Sequence, residues 1–248
     1  MDSNKKGVTA HNGIMPLLMR QSPAFGVVLL AAGRGARMGL RPKCLLQRDA
    51  KPLIHWQLQT LLNEDALSFA HHIATVVVVL GHHARHILPW IDDLPVTKVC
   101  QVGLDHSMDD SIALGVRALS DLNVAGQRHL KSNLDGVIIC PTDLPLLGAA
   151  DYQEILTAFE QRPPKTHLLF PSVAGVPGHP VIFDRVVAEA ILGEKSALSP
   201  RQWRQQNPTQ VFEWVTDNAH YIWDVDSVED INTLAAQTGV KLQSVATD

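Results

Sequence analysis

The residues best suited to chemistry are three glycines and four cations packed into residues 33–43, at the end of the stretch Phe25-Gly-Val-Val-Leu-Leu-Ala-Ala-Gly-Arg-Gly-Ala-Arg-Met-Gly-Leu-Arg-Pro-Lys43. Gly33, Gly35 and Gly39 tolerate positive φ and let a ligand approach the backbone. Successive amide N–H groups in such a loop can form a concave anion site. Arg34, Arg37, Arg41 and Lys43 surround it with positive charge, which a plain tight turn would not need. The chemistry indicated is the holding of a polyphosphate. Two other positions offer hard oxygen ligands. Asp143 follows an apolar run between Pro141 and Pro145, and Asp226 stands just before a helical stretch. Mg2+ commonly pairs one or two carboxylates with phosphate oxygens and water. The competing readings are a turn residue for Asp143 and a helix cap for Asp226. Asp224 and Asp226 are expected on opposite faces of an extended segment, so that only one reaches a metal.

Two better-known phosphate loops are excluded. The P-loop requires Gly-Lys-Ser/Thr, and no such triplet occurs. The dinucleotide fingerprint needs G-x-G-x-x-G and an acid at the end of the next strand. Here the third glycine comes one residue late, and the next apolar run, Val76 to Leu80, ends in Gly81-His82-His83.

The elements that must position these groups alternate between strand and helix. Phe25 to Ala32 reads as a strand buried on both faces. Helical spacing follows Pro52 at Leu53, Ile54, Leu58, Leu61 and Leu62. Ile73 to Leu80 is a second buried strand, Val96 to Val102 a third and Val137 to Cys140 a fourth. Between the last two, Asp109 or Asp110 caps a helix, and Gly126 to Asn133 is a polar loop. Ala149 to Glu160 is a helix, Leu168 to Pro171 a strand, Gly175 to Gly178 a turn, and Pro180 to Phe183 another strand. Val211 to Val215 is a candidate edge strand, and Ser227 caps a final helix from Val228 to Gln237. This alternation predicts an α/β fold with a Rossmann-like, doubly wound, mixed but mostly parallel sheet in one domain. Ligands then bind outside the carboxyl ends of the strands, where strand order switches. Residues 1–22 read as a disordered extension, with Met15 an alternative start, 23–240 as the domain and 241–248 as a tail.

The 248 residues, 46% hydrophobic and 19% charged, suffice for one α/β core. A net charge of −4 argues against nucleic acid as partner. No apolar run approaches the roughly 20 residues of a membrane span. Cys44, Cys100 and Cys140 lack C-x-x-C spacing and read as reduced thiols in the cytoplasm. His82, His83 and His86 have spacing that could hold zinc, but a solvated surface is the expected reading, as it is for His71-His72.

The glycine-rich stretch resembles the signature of the MobA-like nucleotidyltransferases, L-A-[AG]-G-x-[SG]-x-R-M-G followed by P-K. The matching residues are Leu30 to Gly39 and Pro42-Lys43. Asp143-Leu144-Pro145 matches the family's D-x-P, and Asp224-Val225-Asp226-Ser227-Val228-Glu229-Asp230 its D-[IV]-D-[TS]-x-x-D. The resemblance covers about residues 25–237. It implies a nucleoside triphosphate over Leu30, Ala31, Ala32, Gly33 and Gly35, with Arg37 and Lys43 on its phosphates, Ser111 nearby, and Mg2+ on Asp143 and Asp226. Gly175-Val176-Pro177-Gly178-His179-Pro180 is similar to the loop that faces the pterin in molybdenum-cofactor cytidylyltransferases. There Gly178 would offer a free amide and His179 a donor to the acceptor. Ala32 also fits the cytidylyl branch. Gln101 and Ser107 depart from the family's Asn and Gly, and an acid at Asp109 or Asp110 would repel a triphosphate unless a metal or a cap intervenes.

The resemblance therefore implies transfer of CMP from CTP to a molybdopterin phosphate, with pyrophosphate released and Arg37, Lys43 and Asp143 catalytic. A molybdoenzyme or a maturation chaperone is an implied partner. The alternatives are GTP as donor, a sugar phosphate or methylerythritol phosphate as acceptor, and a pterin carrier without turnover.

Overall fold

The computed structural model describes residues 23–39, 41–63, 72–103, 106–122, 134–193 and 198–244. The expected extension at 1–22, the polar loop at 126–133, His71 and the side chains of Arg37 and His72 lie outside the described residues. The first strand, β1 (Ala24–Ala31), is buried along its whole length. Next come two short strands, β2 (Gln47–Arg48) and β3 (Lys51–Pro52), and then helix α1 (Leu53–Leu62). The valine-rich β4 (His72–Leu80), the single turn α2 (Ala84–Ile87) and β5 (Thr97–Cys100) follow. Beyond them lie α3 (Met108–Asp121), β6 (Gly136–Pro141) and α4 (Ala149–Glu160). The second half holds β7 (Leu168–Val173), β8 (Val176–Pro177), β9 (Val181–Phe183), α5 (Arg185–Ile191) and α6 (Pro200–Gln206). It ends with β10 (Val211–Val215), α7 (Val228–Thr238) and β11 (Leu242–Gln243).

The main sheet runs β10-β7-β9-β6-β1-β4-β5, with β8 folded back on β7. β1 is parallel to both β4 and β6, β4 to β5, and β7 to β10. β9 is antiparallel to both of its neighbours, so the sheet is mixed, as expected. Successive crossovers leave β1 toward β4 on one side, while β6 joins on the other. The switch in strand order thus falls between β1 and β6, where a crevice opens at their carboxyl ends. β10 is an edge strand, as its alternation predicted.

Each face of the sheet carries its own core. On one face α1 and α4 pack Ile54, Leu58, Leu61, Tyr152, Ile155 and Phe159 against Val27, Leu29 and Val78. On the other, α3, α5 and α6 pack against Val28, Val77 and Ile139 through Val116, Leu119, Val187 and Trp203. Gly115 lets α3 lie close, since a Cβ there would come within 2.2 Å of Val28 Cγ1. A third, smaller cluster joins Met38, Leu46, Leu53, Val225, Leu234 and Leu242. It matters most for function, because it ties the segment around Lys43 to the one around Asp226. Leu242 and Gln243, in the stretch read as a tail, pair antiparallel with β2 as β11.

The cap of α3 differs from expectation. Neither Asp109 nor Asp110 is the cap; Ser107 is, with its hydroxyl accepting from the Asp110 N–H. Asp110 answers from the third helical position, accepting from the Ser107 N–H and hydroxyl. These bonds hold its carboxyl below the usual range. The added acid is absorbed by a cap.

Candidate active site

The crevice at the switch point is a cleft of about 470 Å3. Its floor is Leu30, Ala31 and Ala32 at the end of β1, with Pro141, Thr142 and Asp143 at the end of β6. Gly33 and Gly35 line one wall, Ser107, Met108 and Ser111 of α3 another, and Lys43, Asp224, Asp226 and His179 complete it. Of the sequence-derived site residues whose side chains are described, all but Gly178 are among the residues lining it.

The glycines have different tasks. Gly35 has φ +64°, and a Cβ there would sit 1.9 Å from the Arg41 carbonyl oxygen, so its role is to close the loop. Gly39 is also left-handed. Gly33 is not, and nothing stands within 4 Å of its missing Cβ. Its bareness leaves room on the cleft side for a ligand. Cys44 also lines the cleft, but burial pushes its thiol up to about 12, which makes it an inert wall.

Lys43, Asp143 and Asp226 converge from three segments. Lys43 Nζ lies 3.3 Å from Asp143 Oδ2 and also contacts Asp226 Oδ1. Burial works to lower the Lys43 pKa, but hydrogen bonding and charge from Asp226 and Asp143 outweigh it and raise it. Asp143 is raised, first by burial, with Lys43 opposing. Asp224 is raised by burial and by the neighbouring Asp226 charge. A cluster of carboxylates raised by burial and mutual repulsion is one that calls for a cation.

Asp224 corrects an expectation. In extended backbone residues two apart share a face. Val225 is fully buried, and the residues on both sides of it, Asp224 and Asp226, line the cleft. Even so, among the described residues no three acidic, histidine or cysteine side chains converge as a metal cage. Two carboxylates with room for phosphate oxygens suit Mg2+ shared with a substrate.

Residues inside and outside the motifs hold this arrangement. The Val225 N–H donates to the Asp143 carbonyl at 3.0 Å, stitching the two acidic loops together. Asp230 Oδ2 accepts from the N–H groups of Asp226 and Ser227 at 2.9 and 2.7 Å, so the last acid of the motif orients Asp226 while Ser227 caps α7. The Thr142 hydroxyl donates to the Leu30 carbonyl, Arg48 to that of Pro145, and Gln57 to those of Pro141 and Leu144. The signal for Gln57 was present: an amide in the apolar stripe Leu53, Ile54, Leu58, Leu61. His83 also departs from its expected solvated surface. It is 7% exposed, and its Nε2–H donates to the Arg34 carbonyl, bracing the glycine-rich loop.

The acceptor loop departs further. The Gly178 N–H is not free; it donates to the Pro171 carbonyl at 2.8 Å. A Cβ on Gly178 would come within 2.3 Å of the Tyr221 carbonyl oxygen, so this glycine serves packing. His179 does line the cleft. Burial, with Arg204 adding to it, lowers its pKa to about 4, and its Nδ1 has no partner among the described residues. It is a neutral imidazole at neutral pH. Gln101 donates to the Ser111 hydroxyl at 3.4 Å, so these two positions act together.

An α/β sheet with a glycine-rich loop, a lysine and paired carboxylates at its switch point defines a nucleotide-handling enzyme fold. The chain belongs to the family of the MobA-like NTP transferase domain, whose model matches residues 27–211. It is 31% identical over 148 residues to the bifunctional protein GlmU of Clavibacter sepedonicus, covering 57% of this chain and 26% of that one. The chain thus spans about a quarter of the length of the curated relatives it matches. Its fold is similar to that of Rv0371c from Mycobacterium tuberculosis H37Rv, with a TM-score of 0.64, 18% identity, and 87% and 99% of the two chains covered. A nucleotidyl transferase from Methanothermobacter, Mth528, superposes with a TM-score of 0.62 at 20% identity, over 85% and 95%. A CMP:2-keto-3-deoxy-manno-octonic acid synthetase complexed with CTP gives 0.56 at 14% identity, over 88% and 99%. Among the described residues no helix is long and apolar enough to cross a membrane.

Proposed function

We propose that the protein is a nucleotidyltransferase that moves CMP from CTP to the phosphate of a pterin cofactor. The observation that carries this reading is the meeting of Lys43 with Asp143 and Asp226 beside the bare Gly33, in a cleft with room for a nucleotide. Membership in the MobA-like family and the CTP complex of a similarly folded synthetase support it.

The acceptor phosphate oxygen attacks the α-phosphorus of CTP, the bond to the β-phosphate oxygen breaks, and pyrophosphate leaves with the bonding pair. A phosphate is ionised near neutrality, so no general base is needed. Lys43 and, by the motif, Arg37 offset the charge on the triphosphate. Asp143 and Asp226 would hold Mg2+, which when bound neutralises charge on phosphate oxygens. Ala31, Ala32 and Ser111 border the base and ribose, and His179 faces the acceptor as a neutral hydrogen-bonding group. A second reading keeps the transfer and changes the acceptor to another phosphate, such as that of a sugar. The engaged amide of Gly178 favours it, since the loop offers the pterin less than its motif implies.

The test is pyrophosphate release with Mg2+, each nucleoside triphosphate and molybdopterin, with a sugar phosphate in parallel. CTP with the pterin should give turnover, and Asp143→Ala should abolish it while leaving the protein folded. Nucleotide binding without pyrophosphate from any pair would identify a carrier instead.

A further inference from the structure

Gln57 sits where an apolar side chain is expected. It is 1% exposed, within the stripe that α1 turns to the core. Its Nε2 donates at 3.3 Å to the carbonyl of Pro141 and at 3.3 Å to that of Leu144. These two carbonyls bracket Thr142-Asp143. Its Oε1 is buried with no partner among the described residues. An unpaired buried acceptor costs stability, and a leucine or methionine would not carry it. The glutamine carries that unpaired acceptor in order to reach the carbonyls of Pro141 and Leu144, so its place in the apolar stripe is tied to this loop.

The other ties on this loop come from elsewhere. Thr142 is held to β1, the Asp143 carbonyl to Val225, and Pro145 to Arg48. Gln57 holds both sides of Asp143 at once, from a helix fixed in the core. We propose that Gln57 is a positioning residue that sets the Asp143 carboxylate for a divalent cation bound together with the nucleotide. This rests on the nucleotidyltransferase reading above. The side chain touches no reacting atom; it acts through the backbone of residues 141–144. Groups that orient a metal ligand from behind typically change metal affinity or activity by about 10–100-fold.

The test compares wild type with Gln57→Met, which keeps the volume and removes both polar groups, and with Gln57→His, which restores one donor. Mn2+ binding in the presence of a non-hydrolysable CTP analogue is read by electron paramagnetic resonance, next to metal-free nucleotide binding, thermal midpoint and kcat/KM. Gln57→Met should weaken the Mn2+–nucleotide complex about tenfold and leave metal-free nucleotide binding within twofold, with the thermal midpoint read to show that the variant folds. Gln57→His should recover part of the metal affinity. Equal Mn2+ affinity in wild type and Gln57→Met would overturn the proposal, as would parallel loss of metal-dependent and metal-free binding. If Gln57→Met fails to fold, Gln57→Ala, which also lacks the donor, with wild-type Mn2+ affinity and a lowered midpoint would assign Gln57 to packing alone. Failure of wild type to bind the analogue at all would refute the nucleotide reading, which is a different outcome.

Discussion

Lys43 stands between Asp143 and Asp226, where a cation would bind, and replacing it should have opposite effects on binding and turnover. Its ammonium is 3.3 Å from Asp143 Oδ2 and touches Asp226 Oδ1. At about 4 Å and an effective dielectric near 20, one such pair is worth about 4 kcal/mol before solvation. The three side chains are 20%, 21% and 35% exposed, so water screens the pairs. Exposed ion pairs measure about 0.2–1 kcal/mol each. About 1–2 kcal/mol for the two contacts is a reasonable figure between these limits, or roughly 5- to 30-fold in an equilibrium constant. A divalent ion arriving alone must displace the ammonium at that expense. Lys43→Met keeps the stem and removes the charge. Mn2+ affinity of the nucleotide-free protein should rise by roughly 5- to 30-fold, read from the free Mn2+ resonance signal. Pyrophosphate release should fall at least about a hundredfold, as for loss of a charge aimed at the transferring group. Unchanged or weaker Mn2+ binding would show that Lys43 does not occupy the cation position. Turnover within a few-fold of wild type would show that it does not act on phosphate.

The two glycines of the loop should separate. Gly35→Ala forces a methyl toward the Arg41 carbonyl at positive φ and should cost about 1–3 kcal/mol in denaturant unfolding, whereas Gly33→Ala should leave stability unchanged and weaken nucleotide binding. If both lose stability alike, Gly33 is a structural glycine after all. His179 is neutral when folded, with a pKa near 4 against 6.5 unfolded, so the stability it confers is complete above pH 6.5 and is lost as pH falls toward 4. His179→Gln should flatten that loss by about 1–3 kcal/mol in melts between pH 7 and 4, and an unaltered profile would show that His179 does not remain neutral. Ala32 lines the cleft where the base should lie, so wild type should prefer CTP to GTP by kcat/KM about ten- to a hundredfold and Ala32→Gly should narrow the gap. A wild-type preference for GTP would remove Ala32 from base selection.

The strands that build the site were legible because each is a buried run with one feature at its end. β1 runs into glycine and arginine, β4 into Gly81, and β6 into a proline-bracketed aspartate. Such strands state their position in the sheet through hydrophobicity alone. Antiparallel β9 within a parallel sheet was not legible, since a strand of three residues carries no direction in its sequence. The braces were hidden for a related reason. Gln57, Arg48, Thr142 and His83 bond to backbone carbonyls, and any loop has carbonyls to offer. Only the placement of the loop decides which side chain meets them. Asp230 was half legible: its spacing announced a cap, but not that the same carboxylate holds the backbone of Asp226.

The acceptor loop shows where a motif stops being informative about ligands. Three of its residues are explained by folding. Gly175 takes φ +81° in the turn between β7 and β8. Pro177 lies in β8, opposite Ser172. Gly178 lets the backbone pass the Tyr221 carbonyl and gives its N–H to Pro171. Pro177 has no N–H and that of Gly178 is engaged, so neither offers a donor to a substrate. His179 is the exception, because it lines the cleft without charge, and its buried Nδ1 has no partner among the described residues. A neutral imidazole contributes one donor and one acceptor rather than an anion-binding charge. Selection of the acceptor should therefore depend on hydrogen-bond geometry at His179 more than on the charge of the incoming phosphate. A lysine-like or arginine-like contribution to acceptor binding would have to come from outside this loop.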